Sequence, residues 1–175
     1  MMKLLVLTSI FLSSVAFAKT EKIGEIVRGK NIDDQVKALL PKETKDWQKL
    51  GYILLKKGTV FSDKKMALEI KATPGEPSGD AERFDLSFKH GNSGTFKSIG
   101  SSAFLTASTD KKFFFFEPAR YLEGVSGNVV DLKVDPYFNP LFYSPSKKQI
   151  VAAQSDCIAD CLDVKDRVLL IDLIE

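Results

Sequence analysis

The chain has few of the residues that most often mark chemistry. Among 175 residues there is one histidine, two cysteines and one tryptophan. A lone histidine, His90, leaves general acid–base work to carboxylates, lysines and tyrosines. It also falls short of the Cys/His sets that build most zinc sites, and no cofactor motif is present. An excess of charge of one sign is absent as well. The 25 Lys and Arg face 23 Asp and Glu, interspersed without a basic stripe, which removes the electrostatic footprint of nucleic-acid binding. Downstream of residue 18 the apolar runs are short, as in Phe113–Phe116, so no membrane span is expected there. The four asparagines form no Asn-x-Ser/Thr acceptor, an absence that says little about the route of export.

What is present begins with a leader. MMKLLVLTSIFLSSVAFAKT carries one positive charge at Lys3, an apolar run from Leu4 to Phe17, and a small-x-small step at Ala16-Phe17-Ala18. That order predicts a secretory signal peptide over 1–18, cleaved after Ala18. The apolar run of 14 residues is short of the roughly 18–20 needed to span a bilayer. No cysteine lies near the cleavage site to accept a lipid. The expected mature chain, 19–175, is exported to the periplasm or the extracellular space and has the length of one β-rich domain.

Apolar periodicity sets the fold class. Asn31 stands as an N-cap before Ile32, Val36, Leu39 and Leu40, which share one helical face, and Pro41 closes the pattern. A second short helix is expected from Thr44 through Trp47. After Gly51 the period becomes two. Met66, Leu68 and Ile70 alternate with polar residues, as do Phe84, Leu86 and Phe88, across a Pro/Gly/Ser-rich connection. Further strands are expected at 52–56, 95–98, 103–107, 112–116, 128–134, 149–154 and 167–174. Phe113–Phe116 and Val168–Ile174 are apolar on both faces and belong inside the domain. The expectation is a mainly β, antiparallel sandwich or barrel with one or two short N-terminal helices.

The closest approach to a chemical signature is QSDCIADCLDVKD, which holds Cys157 and Cys161 among four aspartates. In an oxidising compartment two cysteines most simply form one disulfide. Residues four apart in a strand stand about 13 Å apart, whereas a disulfide needs Cα atoms roughly 4.4–6.8 Å apart. A bridge therefore requires a turn, and its small ring stabilises by only about 2 kcal/mol. Acidic neighbours oppose thiolate formation, which weighs against redox chemistry. The aspartate spacing matches no EF-hand loop, so no metal is assigned.

Three short matches to enzyme motifs fail on context. Gly-Asn-Ser-Gly at 91–94 superficially resembles the nucleophile loop of trypsin-like proteases, but His90 lies three residues from Ser93; a hairpin turn accounts for it. Ser-x-x-Lys at Ser62/Lys65 and Ser144/Lys147, with Ser-Gly-Asn at 126–128, resembles penicillin-recognising enzymes. Yet Lys-Thr-Gly is missing and Ser62 leads into a strand pattern rather than a helix. Finally, DPYFNPLFYSPSKK combines three prolines, which keep it out of a central strand, with Tyr137, Phe138, Phe142 and Tyr143. These rings either cap the β core or line a loop for a ligand or partner. The expected function is a non-enzymatic exported binding or structural module without cofactor. The alternatives are a carrier of an apolar ligand in a barrel cavity, a carbohydrate-binding module, and a carboxylate-based hydrolase. An apolar ligand, a glycan or an envelope protein is the corresponding partner.

Overall fold

A computed structural model describes residues 19–28, 31–77, 79, 82–92, 94–117, 119–132, 138–155 and 165–173. In chain order the elements are β1 (Thr20–Val27), α1 (Ile32–Leu39), β2 (Gln48–Lys49), β3 (Gly51–Ile53), β4 (Gly58–Asp63), β5 (Leu68–Pro74), β6 (Phe84–His90), β7 (Lys97–Ser102), β8 (Leu105–Ala107), β9 (Phe113–Phe116), β10 (Arg120–Glu123), β11 (Val129–Asp131), β12 (Phe138–Ser144), β13 (Gln149–Gln154) and β14 (Lys165–Asp172). All strand pairs are antiparallel and form three sheets. Their orders are β1-β14-β13-β12-β2, β11-β10-β9-β8-β3 and β4-β5-β6-β7. The fold is sandwich-like and does not close into a barrel.

The phenylalanine run explains the layering. Successive strand residues point to opposite faces, and all four phenylalanines of β9 are at most 1% exposed. Phe113 and Phe115 join a core with Tyr143, Ile150 and Ile171 of the first sheet, while Phe114 and Phe116 join one with Ile70, Leu86 and Phe88 of the third. The second sheet is thus covered on both faces. A third, smaller core lies on the far side of the first sheet, where Val36 of α1 meets Ile26, Val151 and Val168. Gly24 permits this approach, since a Cβ there would stand 2.6 Å from a methyl carbon of Leu39. In the first core, the Phe113 ring stacks between those of Tyr143 and Tyr121, at 4.3 and 5.1 Å. Burial, with the nearby Glu123 charge, pushes both phenols up to about 12, so they stay neutral.

Several sequence expectations need correction. The helix over 32–39 forms, but Asn31 bonds the side chain of Asp34 and not a helix amide. Residues 44–47 are not helical; Trp47 packs into the smallest core and its indole donates to the Pro41 carbonyl at 3.4 Å. The early chain contributes an edge strand, β1, beside α1. Residues 138–144 form β12 despite Pro140. The register shifts between Pro140 and Phe142, so the proline sits at a bulge, and β2 borders β12 only at Phe142 and Tyr143. A missing N–H is tolerated in such a position.

Two hairpin turns are fastened by aspartates. Asp46 accepts from the Ser146 amide at 2.7 Å and the buried Ser144 hydroxyl at 2.8 Å. Asp110 accepts from the Ser108 hydroxyl at 2.6 Å, the Lys112 amide at 3.1 Å and the Gln48 side-chain amide at 3.2 Å. Burial pulls both carboxyls upward, but these bonds outweigh it and leave each below its ordinary value of 3.8. A lowered folded-state value means the carboxylate form stabilises the fold. That stability is complete above the unfolded value and disappears as pH falls through the folded one. The stability gap between wild type and the double variant Asp46→Asn/Asp110→Asn should therefore be larger at pH 7 than at pH 2.5. Urea unfolding at both pH values measures it, and a gap independent of pH would contradict the assignment.

Candidate ligand recess

Phe138, Phe142 and Tyr143 are 6%, 3% and 8% exposed, so these three rings are core side chains and offer no surface to a ligand. Tyr137 lies outside the described residues, and so do Cys157 and Cys161. The strands before and after the cysteine segment, β13 and β14, are antiparallel neighbours with Gln154 opposite Arg167. Arg28 ties the described ends of that segment together. Its guanidinium grips Asp166 at 3.0 and 3.4 Å and also bonds the Ser155 hydroxyl. Ser144 of the second Ser-x-x-Lys match is fully buried and spends its hydroxyl on Asp46, while Ser62 lies within β4.

Two motifs dismissed separately in the sequence do meet in space. His90 ends β6, and residues 126–128 form part of the turn from β10 to β11. Between them lies a recess of ≈ 270 Å³ lined by Phe88, His90, Thr95, Lys97, Ser126, Gly127 and Asn128. It joins the edge of the third sheet to a hairpin of the second. The hairpin is set by backbone bonds from Glu123 N to Asn128 O (3.0 Å) and from Gly127 N to Glu123 O (2.7 Å). The Ser126 hydroxyl accepts the Asn128 N–H at 3.2 Å and donates to the Glu123 carboxylate at 2.9 Å. Gly127 has φ +73°, and a Cβ there would lie 2.7–2.9 Å from Cγ, Nδ1 and Cβ of His90. The histidine ring therefore rests directly on the glycine backbone.

The polar groups of the recess differ in what they have left to offer. The Ser126 hydroxyl spends its donated hydrogen bond on the Glu123 carboxylate. The side chains of Thr95, Lys97 and Asn128 have no hydrogen-bond or ion-pair partner among the described residues. Lys97 pairs in register with Phe88, whose ring is buried in the core below. Nearby lysines are already engaged. Lys89 and Lys71 hold Glu69 at 3.0 and 3.2 Å, and both ammonium groups lie over the Phe96 ring. The Lys89 bond, aided by Lys71, keeps the Glu69 carboxyl below its ordinary value. A second hollow of ≈ 240 Å³, between Pro74, Pro77 and Phe84, includes Arg83, but that guanidinium is committed to Glu117 at 3.1 Å and the Ser101 carbonyl at 2.9 Å.

No group of three or more His, Cys, Asp or Glu is placed to hold a metal ion among the described residues. No helix among them is long and apolar enough to cross a membrane. No protein-family model matches the chain, and no curated protein or solved structure matches it either. The reading of this site therefore rests on its own geometry. Sequence inspection passed over Lys97 and Thr95, which belong to no motif. The available signal was that Gly-Asn-rich turns follow both His90 and Glu123, and turns on a rigid β scaffold are where recognition residues gather.

Proposed function

We propose that this chain is an exported binding module that holds a small polar ligand in the recess between His90 and Asn128. Export is supported by the leader pattern of residues 1–18. Binding without turnover is supported by one observation above all: three side chains with unused hydrogen-bonding capacity line one recess on two packed sheets. The Ser126 hydroxyl beside them donates its hydrogen bond to the Glu123 carboxylate. The burial of Phe88, Phe113–Phe116, Phe138 and Phe142 among other core side chains favours this surface recess over a carrier whose phenylalanines line a cavity.

An NMR titration of the purified protein against a mixed set of small charged and neutral molecules tests the proposal. Saturable shifts should cluster at His90, Lys97, Gly127 and Asn128. Ligands that move only resonances elsewhere, or consumption of a bound molecule, would refute it. The export step predicts a secreted or periplasmic product whose N-terminus is Lys19; recovery of the chain inside the cell with Met1 intact would contradict that part.

A further inference from the structure

We infer that the recess is an oxyanion site, taking a carboxylate, sulfate or phosphate group carried on a small molecule. The inference rests on the binding reading above and adds the ligand's chemical class. Lys97 is the formal charge in the lining, and the lining contains no carboxylate. Thr95 and Asn128 add a hydroxyl and an amide NH₂, both able to donate. Glu123 is the acidic group beside this turn, and it is turned to other work. It takes the Ser126 proton at 2.9 Å and lies 3.9 Å from Lys148. Among the described residues Lys97 has no carboxylate of its own, in contrast to Lys71 and Lys89, which share Glu69. A free ammonium with two neutral donors at the rim of an apolar floor, Phe88, complements a small anion. The fit to a neutral sugar is poorer: Thr95 and Asn128 can accept as well as donate, but a sugar leaves the Lys97 charge uncompensated.

Size restricts the ligand further. The ≈ 270 Å³ of the recess lies below the usual range for drug-sized ligands. A single anionic head with a few carbon atoms fits, whereas a polymer would have to extend beyond the recess.

The test titrates ¹⁵N-labelled protein with inorganic phosphate, sulfate and acetate at ionic strength held constant with sodium chloride, and in parallel with glucose. The expected result is saturable movement of His90, Lys97 and Asn128 with at least one of the three oxyanions and little with glucose. Lys97→Ala should weaken that binding about tenfold, the scale of one charge-assisted hydrogen bond. Lys97→Arg should largely restore it, and substitution of the turn residue Lys64 should leave it unchanged. Which oxyanion binds most tightly distinguishes carboxylate from phosphate and sulfate ligands. If glucose moves the recess resonances and the oxyanions do not, the recess remains a binding site and the anion assignment is overturned. If Lys97→Ala binds the anion as tightly as wild type, the assignment is likewise overturned. If nothing moves these resonances, the binding reading falls as well.

Discussion

Replacing Phe114 by alanine is expected to cost about 3–5 kcal/mol of unfolding free energy, and replacing its neighbour Phe115 about as much. The two side chains follow one another in β9, the central strand of the second sheet, and therefore point in opposite directions. In a sheet with one wet face, one of the pair would be exposed and its replacement nearly neutral. Here Phe114 is 0% exposed and packs against Phe61 at 4.8 Å between ring centroids, in the core shared with the third sheet. Phe115 is 1% exposed and packs against Phe138 at 5.3 Å, in the core shared with the first sheet. Each truncation leaves a separate cavity, and neither cavity can collapse without moving a whole sheet. Urea unfolding of the two single variants decides the matter. If either loses less than about 1 kcal/mol, the second sheet is not covered on that face.

The same two-sided burial explains which parts of the fold could be read in the sequence. Clean alternation at Leu68–Ile70 and Phe84–Phe88 marked β5 and β6, because each has one face on a core and one in water. The uninterrupted apolar runs at 113–116 and 168–171 were recognisable as interior strands. Strands that break the period were not. In β4 a register shift between Thr59 and Phe61 lets Val60 and Phe61 both pack against the same core, which erases the alternation. In β10 Tyr121 and Leu122 are buried on opposite faces of a strand only four residues long. In β1 a glycine and a bulge replace the regular pattern, and their purpose is visible only once α1 lies against Gly24. Proline counted against β12, since the rule about central strands cannot anticipate a bulge. The recess was harder still. Its members come from two sheets, and residues 88–97 and 126–128 become neighbours only through the stacking of those sheets. Each turn by itself carries ordinary turn residues, so no spacing within either one announces the other.

Gly127→Ala should destabilise the protein by about 2 kcal/mol or more and abolish binding in the recess. Two effects add at this position. The backbone has φ +73°, where a side chain costs about 1–2 kcal/mol. The new methyl would also fall 2.7–2.9 Å from Cγ, Nδ1 and Cβ of His90, and the Cβ is fixed by the backbone, so no rotamer change clears it. Gly91 separates the two effects. It has φ +71°, and a Cβ there meets nothing within 4 Å, so Gly91→Ala carries the backbone cost without the collision. Gly91→Ala should lose about 1–2 kcal/mol and keep the recess functional. The excess loss in Gly127→Ala then measures the contact with His90, and it should shrink when His90→Ala is added, because the ring that obstructs the methyl is gone. Unfolding free energies of the four variants give this coupling directly. Equal losses at Gly91 and Gly127, or no relief from His90→Ala, would mean that the histidine does not rest on the turn. The recess would then lack the wall that joins its two sheets. The pair of glycines thus tests the site through stability alone, before any ligand is known.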